Sequence, residues 1–333
     1  MMKFKIILLA TFFCCLSVFA NELPDLGDSS QLIISAKEEQ AIAKAILKEV
    51  AVSPEIVQDI EVIDYLRNLG DRLVAYSPNK RQQFNFFVVN ESSINAFAML
   101  GGVIGVHTGL ILASNSESEV ASVLGHEIAH VTQRHLPRMI AQQKNDSIKT
   151  VLGIALALLV ARANPQLSAG TMTAASAMGV QKQLDYTREH EKEADRVGFQ
   201  ILTDAGFDGR SMVSFFNTLQ RGSRFSEGAA PSFLRTHPIT TDRISDISNR
   251  VKESRYRQIP DNPDFIFIKS KLRASNGTPQ SAVDEFEGSI KDKRYMNEAS
   301  ERYGLAIAYM RKSDFAKARQ EVEWLKTNVK KML

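Results

Sequence analysis

Over much of the chain apolar residues return every three or four positions, and this spacing predicts helices. In residues 37–50 Ala41, Ile42, Ala45, Ile46 and Val50 share one helical face. Residues 57–76 repeat the pattern with Ile60, Ile63, Leu66, Leu69 and Leu73. The period then shortens. Residues 83–90 (QFNFFVVN) are aromatic and β-branched, which predicts a strand. Residues 93–98 and 101–108 read as two further short strands, the last with glycines where backbone turns or is closely approached. Ser116 is a good N-cap with Glu119 as its capping-box partner. The helix it starts should run through His126 and His130 to about Gln142. Residues 151–161 are wholly apolar but too few to span a bilayer. Residues 168–180 are small and weakly apolar. A long helix is expected over 181–205, closed by Gly206, then helices over 210–221 and 241–254, with a loop at 227–238 between them.

Residues 258–264 (QIPDNPD) hold two prolines and little apolar content, and mark the best domain boundary. Beyond it the pattern is helical throughout. Ala282 and Ala318 lie about 36 residues apart, close to the ~34-residue tetratricopeptide period. Leu305, Ala306, Tyr309, Val322 and Leu325 fall where such hairpins pack. The expected division is a leader over 1–20, a main domain over 21–257 and a helical-hairpin domain over 264–333.

Composition narrows the function classes. The chain has 333 residues, 44% hydrophobic and 24% charged, which excludes a disordered or polytopic membrane protein. Its formal charge of +3 gives no electrostatic case for nucleic acid. Lys3 and Lys5, an apolar run and Val18-Phe-Ala20 read as a cleavable export signal. Cleavage after Ala20 would remove both cysteines, Cys14 and Cys15. A metal site in the exported protein would then rest on His, Asp or Glu.

His126-Glu127-Ile-Ala-His130 supplies such a site. Two histidines four apart share a helix face and can converge on one Zn²⁺, with Glu127 beside them as general base. A catalytic zinc takes three protein ligands and keeps one position open. Residues 189–196 (EHEKEADR) place Glu191 and Asp195 on one face of a second helix. One carboxylate could bind the metal while the other receives a hydrogen bond from a ligand histidine. Glu189 and Glu193 read as a solvated face, His190 as pointing away, and His107 and His135 as structural or surface residues.

HEIAH with EKEAD, INAFAMLGGVIGVHTGLI and THPITTDR together resemble the gluzincin family of the CAAX prenyl endopeptidase and HtpX, in its soluble periplasmic branch with C-terminal tetratricopeptide repeats. The resemblance implies a mostly helical α+β fold: a zincin-type metalloprotease domain with a small sheet, followed by tetratricopeptide-like α-helical hairpins. It implies one Zn²⁺ on His126, His130 and Glu191, with Glu127 as catalytic carboxylate and Asp195 supporting a ligand. His237 becomes a fourth ligand that holds the enzyme latent, and Arg243 a residue that stabilises the oxyanion. Asn95 and Ala96 become an edge that pairs with extended substrate. The implied function is a periplasmic zinc endopeptidase acting on unfolded or stalled outer-membrane proteins and aiding their assembly. Implied partners are the outer-membrane β-barrel assembly machinery, reached through the helical tail, and a peripheral membrane contact. The alternative is a chaperone-like scaffold with a mostly latent metal site.

Overall fold

The computed structural model describes residues 34–142, 188–225, 232–254, 260 and 262–332. The leader and the segments at 151–161 and 168–180 lie outside the described residues. Two helices come first, α1 (Ala36–Val52) and α2 (Ile60–Val74). Ser35 and Glu38 form a reciprocal capping box on α1, and Asp59 caps α2. The second helix starts later than its periodicity suggests because Ile56 bridges Val89 and Val57 N–H donates to Val88 C=O. A three-stranded sheet follows: β1 (Asn85–Val89), β2 (Ala96–Met99) and β3 (Val103–His107), in the order β1-β3-β2. β1 runs parallel to β3, and β2 antiparallel to it with Ala96 opposite Val106. Gly101 and Gly102, at φ 73° and 80°, make the left-handed turn between β2 and β3.

The short helix α3 (Thr108–Ala113) leads to α4 (Glu117–Thr132), the centre of the molecule. Every residue of α4 from Glu117 to His130 is buried, as expected of a helix packed on all sides. Ser116 caps it by accepting from Glu119 N–H. The expected capping box is incomplete, because the Glu119 carboxylate instead accepts from Asn115 N–H at 2.7 Å and Ser214 Oγ at 2.5 Å. The helix does not run on to Gln142. It stops at Thr132, Arg134 takes φ 54°, and α5 (His135–Gln142) restarts in a new direction. A left-handed non-glycine residue costs roughly 1–2 kcal/mol. The Arg134–Glu39 ion pair at 2.7 Å, mostly buried, holds that turn in place.

The second half adds α6 (Arg188–Asp204), α7 (Arg210–Phe225), α8 (Ser232–Thr236) and α9 (Thr241–Glu253). Gly206, at φ 81°, closes α6 as the sequence predicts. Part of the expected loop at 227–238 is helical: α8 forms one turn because Phe233 is buried in the main core. Helices α4 and α6 cross at Gly125 and Gly198. A Cβ on Gly198 would lie 2.9 Å from His126 N, so the two backbones touch there. Gly198→Val is therefore expected to lower stability by about 1–3 kcal/mol in urea unfolding and to weaken metal binding. An unchanged unfolding midpoint would show that the helices have room to separate.

The tail comprises α10 (Pro263–Ser275), α11 (Pro279–Lys291), α12 (Glu298–Arg311) and α13 (Phe315–Met332). Ala282, Val283, Phe286, Leu305, Ala308, Tyr309 and Ala318 make its own small core. Helix α10 belongs to both parts. Its Phe265, Ile268 and Leu272 lie in the main core, while Ala274 lies in the tail's. Lys271 of α10 also pairs with Asp59 and Glu61 at 2.7 Å each, and Tyr303 of α12 donates to Glu61 at 2.6 Å. The described residues form a mostly helical α+β fold with one small sheet, as the resemblance implies. No described helix is long and apolar enough to cross a membrane.

Candidate metal centre

The glycine crossing sets the site. By letting α4 and α6 touch, it brings the HExxH residues against Glu191 and Asp195. One ligand atom from each of His126, His130, Glu191 and His237 lies within 4.8 Å of all the others, and all four residues are buried. His126 Nε2 is 2.9 Å from His130 Nε2 and 3.4 Å from His237 Nδ1. Glu191 Oε1 is 3.4 Å from His130 Nε2 and 3.0 Å from His237 Nδ1, and Glu191 Oε2 is 3.5 Å from His126 Nε2. Tetrahedral ligands with Zn–N bonds of ~2.0–2.1 Å would stand roughly 3.3–3.4 Å apart. The donor set therefore fits a small tetrahedral cation.

The electrostatics point the same way. Burial disfavours charge on His126, but Asp195 and Glu191 beside it outweigh burial and raise its pKa to about 9. Burial also disfavours the Glu191 anion, yet His237, His126 and His130 hold its carboxyl well below the usual range. His130 moves the other way, pushed well down by burial and by His126. A pocket that draws a proton onto one histidine and keeps its carboxylate ionised also favours a metal cation.

Glu127 stands apart from the four converging donors. It is fully buried, and neither carboxylate oxygen accepts a well-formed hydrogen bond. His237 Nε2 lies 3.6 Å from its Oε1. Burial raises its pKa, against the pull of His237 and His126. Such a carboxylate is ready to receive a proton.

Asp195 Oδ1 lies 3.0 Å from His126 Nδ1, where it can orient the ring. The structure gives Arg243 different work from the oxyanion role implied by resemblance. Its Nε and Nη2 donate to Asp195 at 2.6 and 2.7 Å. Its Nη1 donates to Pro238 C=O at 2.8 Å and pairs with Glu191 Oε2 at 2.8 Å. All three nitrogens of this buried guanidinium are engaged in fixing the two carboxylates and the loop after His237. His237 is set by α8: its N–H donates to Phe233 C=O at 2.8 Å, and its ring stacks on Phe233 with centroids 4.6 Å apart.

The edge strand also differs in detail from the expectation of Asn95 and Ala96. Asn95 C=O accepts from His107 N–H, so Asn95 turns its backbone toward β3. Alternation then turns the backbone groups of Ala96 and Ala98 outward. Ala98 N–H comes close enough to Glu127 to favour its anion. The outer edge of β2 thus borders the metal centre, with Ala98 as the residue missed from sequence.

Two further histidines lie beside the four donors. His190 is buried and stacks on His135 with centroids 4.5 Å apart. His135 is itself fully buried and 2.8 Å from His130. Burial and the nearby His130 push its pKa down to about 3. Glu193 is half-exposed but pairs with both His135 and Arg138.

A buried HExxH helix joined by a glutamate from a second helix is the donor set of a metallopeptidase. The chain belongs to Peptidase family M48, whose profile matches residues 63–251. It is 32% identical over 310 residues to the beta-barrel assembly-enhancing protease of Escherichia coli (strain K12), covering 91% of this chain and 62% of that one. The beta-barrel assembly-enhancing protease of Yersinia pestis matches at 32% over 298 residues, 89% and 61% of the two chains. Metalloprotease YcaL of Escherichia coli (strain K12) matches at 30% over 172 residues, half of this chain and 62% of its own. The chain thus spans less than two thirds of the length of these relatives.

Proposed function

We propose that this chain is a zinc-dependent endopeptidase of the periplasm that cleaves unfolded or stalled outer-membrane proteins and so aids β-barrel assembly. The carrying observation is the buried convergence of His126, His130 and Glu191 with Glu127 beside them and a strand edge at their border. Zinc held by those three ligands would supply a Lewis acid and acidify the attacking water. Glu127 takes the proton of that water and returns it to the leaving amine. Asp195 and Arg243 hold His126 and Glu191 in place. An extended substrate adds to the outer edge of β2, taking backbone hydrogen bonds from Ala96 and Ala98. Unfolded chains offer such strands and folded ones do not, which suits a quality-control role. The relatives' name and the export signal at 1–20 support the outer-membrane substrates and the periplasmic location.

Residues 21–257 carry the chemistry in this reading, and the tetratricopeptide-like hairpins of 264–333 engage the assembly machinery. Met310 and Phe315 lie exposed on that tail. The test is a pull-down from envelope extract with a Glu127→Gln trap. It should retain outer-membrane proteins that the wild type cuts, and retention of none would overturn the substrate assignment.

His237 makes the resting enzyme latent. A fourth protein donor occupies the position that water and substrate need. Phe233 N–H donates to Ile94 C=O at 3.2 Å, which ties α8 to the approach of the substrate-binding strand. A substrate strand entering there would compete with α8 and carry His237 away. His237→Ala is expected to raise peptide cleavage or self-cleavage several-fold with bound metal unchanged. A fall in cleavage would instead make His237 part of the working machinery. This closure is also what favours a scaffold with a quiet metal site, and a His237→Ala protein without proteolysis would support it.

A further inference from the structure

We infer that His135 is a positioning residue for the metal centre, fixing the tautomer and ring orientation of His130 through a relay that ends on Glu193. The inference rests on the reading that His130 binds metal through Nε2.

The relay follows from hydrogen-bond inventory. His135 Nδ1 lies 2.8 Å from His130 Nδ1. Two imidazole nitrogens can meet at that distance only if one carries a proton and the other a lone pair. His130 directs Nε2 into the group of converging donors, so that atom must keep its lone pair and Nδ1 must carry the hydrogen. His135 Nδ1 therefore accepts. The proton of His135 then sits on Nε2, which lies 3.0 Å from Glu193 Oε2. Arg138 Nη1 donates to the same oxygen at 2.9 Å and holds the carboxylate there. With His135 neutral, only one assignment of protons satisfies every member of this chain, and it is the one that leaves His130 Nε2 bare for a metal.

The fold goes out of its way to make this contact. Had α4 continued, residue 135 would stand about 140° around the helix from His130, on another face. The left-handed Arg134 ends α4 and returns His135 beneath His130. The His135 ring is fully buried and stacked at 17° on buried His190, which fixes its plane. Polar partners of ligand histidines govern metal affinity by about 10–100-fold.

The experiment uses the full chain and zinc alone, with affinity read by competition against a chromogenic chelator. His135→Phe keeps the stacking ring and removes the acceptor, and should weaken zinc binding about 10–100-fold. His135→Asn places an amide oxygen near the lost Nδ1 and should recover most of that loss. Wild-type affinity in His135→Phe would overturn the inference, as would an Asn variant no better than Phe. If His135→Phe does not fold, Glu193→Leu tests the far end of the relay. It should weaken zinc binding at least threefold, and no change would overturn the proposal. His130→Ala is the control for the underlying reading: undiminished zinc in that variant would remove His130 from the ligand set, a failure separate from the relay's.

Discussion

Glu127→Gln is expected to keep its metal and to lose peptide hydrolysis by a factor on the order of 10² or more. The substitution preserves size and removes the ability to take a proton. Metal should stay because Glu127 is outside the four converging donors. Hydrolysis should fall because this carboxylate, fully buried and with its pKa raised by burial, is poised to accept a proton beside the metal. Stability gives an independent check. The wild-type carboxylate is a buried charge without a well-formed hydrogen bond. Replacing it with a neutral amide should leave the urea midpoint unchanged or raise it. Reduced metal content would make Glu127 a ligand, and normal cleavage would remove it from proton transfer.

The metal centre was largely legible in sequence because its logic is local. His126 and His130 share a helix face by spacing alone, as do Glu191 and Asp195, and a helix keeps that relation wherever it is packed. What spacing cannot show is which helix faces meet. Gly125 and Gly198 decide that, and neither stands out in a sequence where glycine has many other uses. The helices and strands were legible for the same local reason, with errors where tertiary contacts intervened. Gln133-Arg134 contains no glycine, and the local signal against a continuous helix is Pro137, which could not donate to Gln133 C=O had α4 run on. The buried partner Glu39, far away in the chain, stabilises the break. The contact of His135 with His130 follows from that turn, and the spacing of α4 does not announce it. Arg243 was legible only by resemblance, and its partners Asp195, Glu191 and Pro238 C=O become visible only once α9 is packed against α6.

His126→Ala should reduce bound metal from about one equivalent per chain to a small fraction of that, and abolish hydrolysis with it. His126 is the donor most firmly built into the site. Its Nε2 faces His130, His237 and Glu191, while its Nδ1 is held by Asp195 on the opposite side. Two of the three protein ligands would remain, too few to hold a catalytic zinc against a chelator. The fold should survive the loss. Arg243 still pairs with both Asp195 and Glu191, so neither carboxylate is left as an unpaired buried charge. The apolar walls of α4 (Val120, Leu124 and Ile128) are untouched. Loss of metal with a cooperative unfolding transition would therefore identify His126 as a ligand and not a structural core histidine. Stoichiometric metal in this variant would place the ion elsewhere. Loss of both metal and cooperative unfolding would show that the ion helps to hold α4 and α6 together. Adding excess zinc to the wild-type apoprotein should then raise its unfolding midpoint, and His126→Ala should show no such rise.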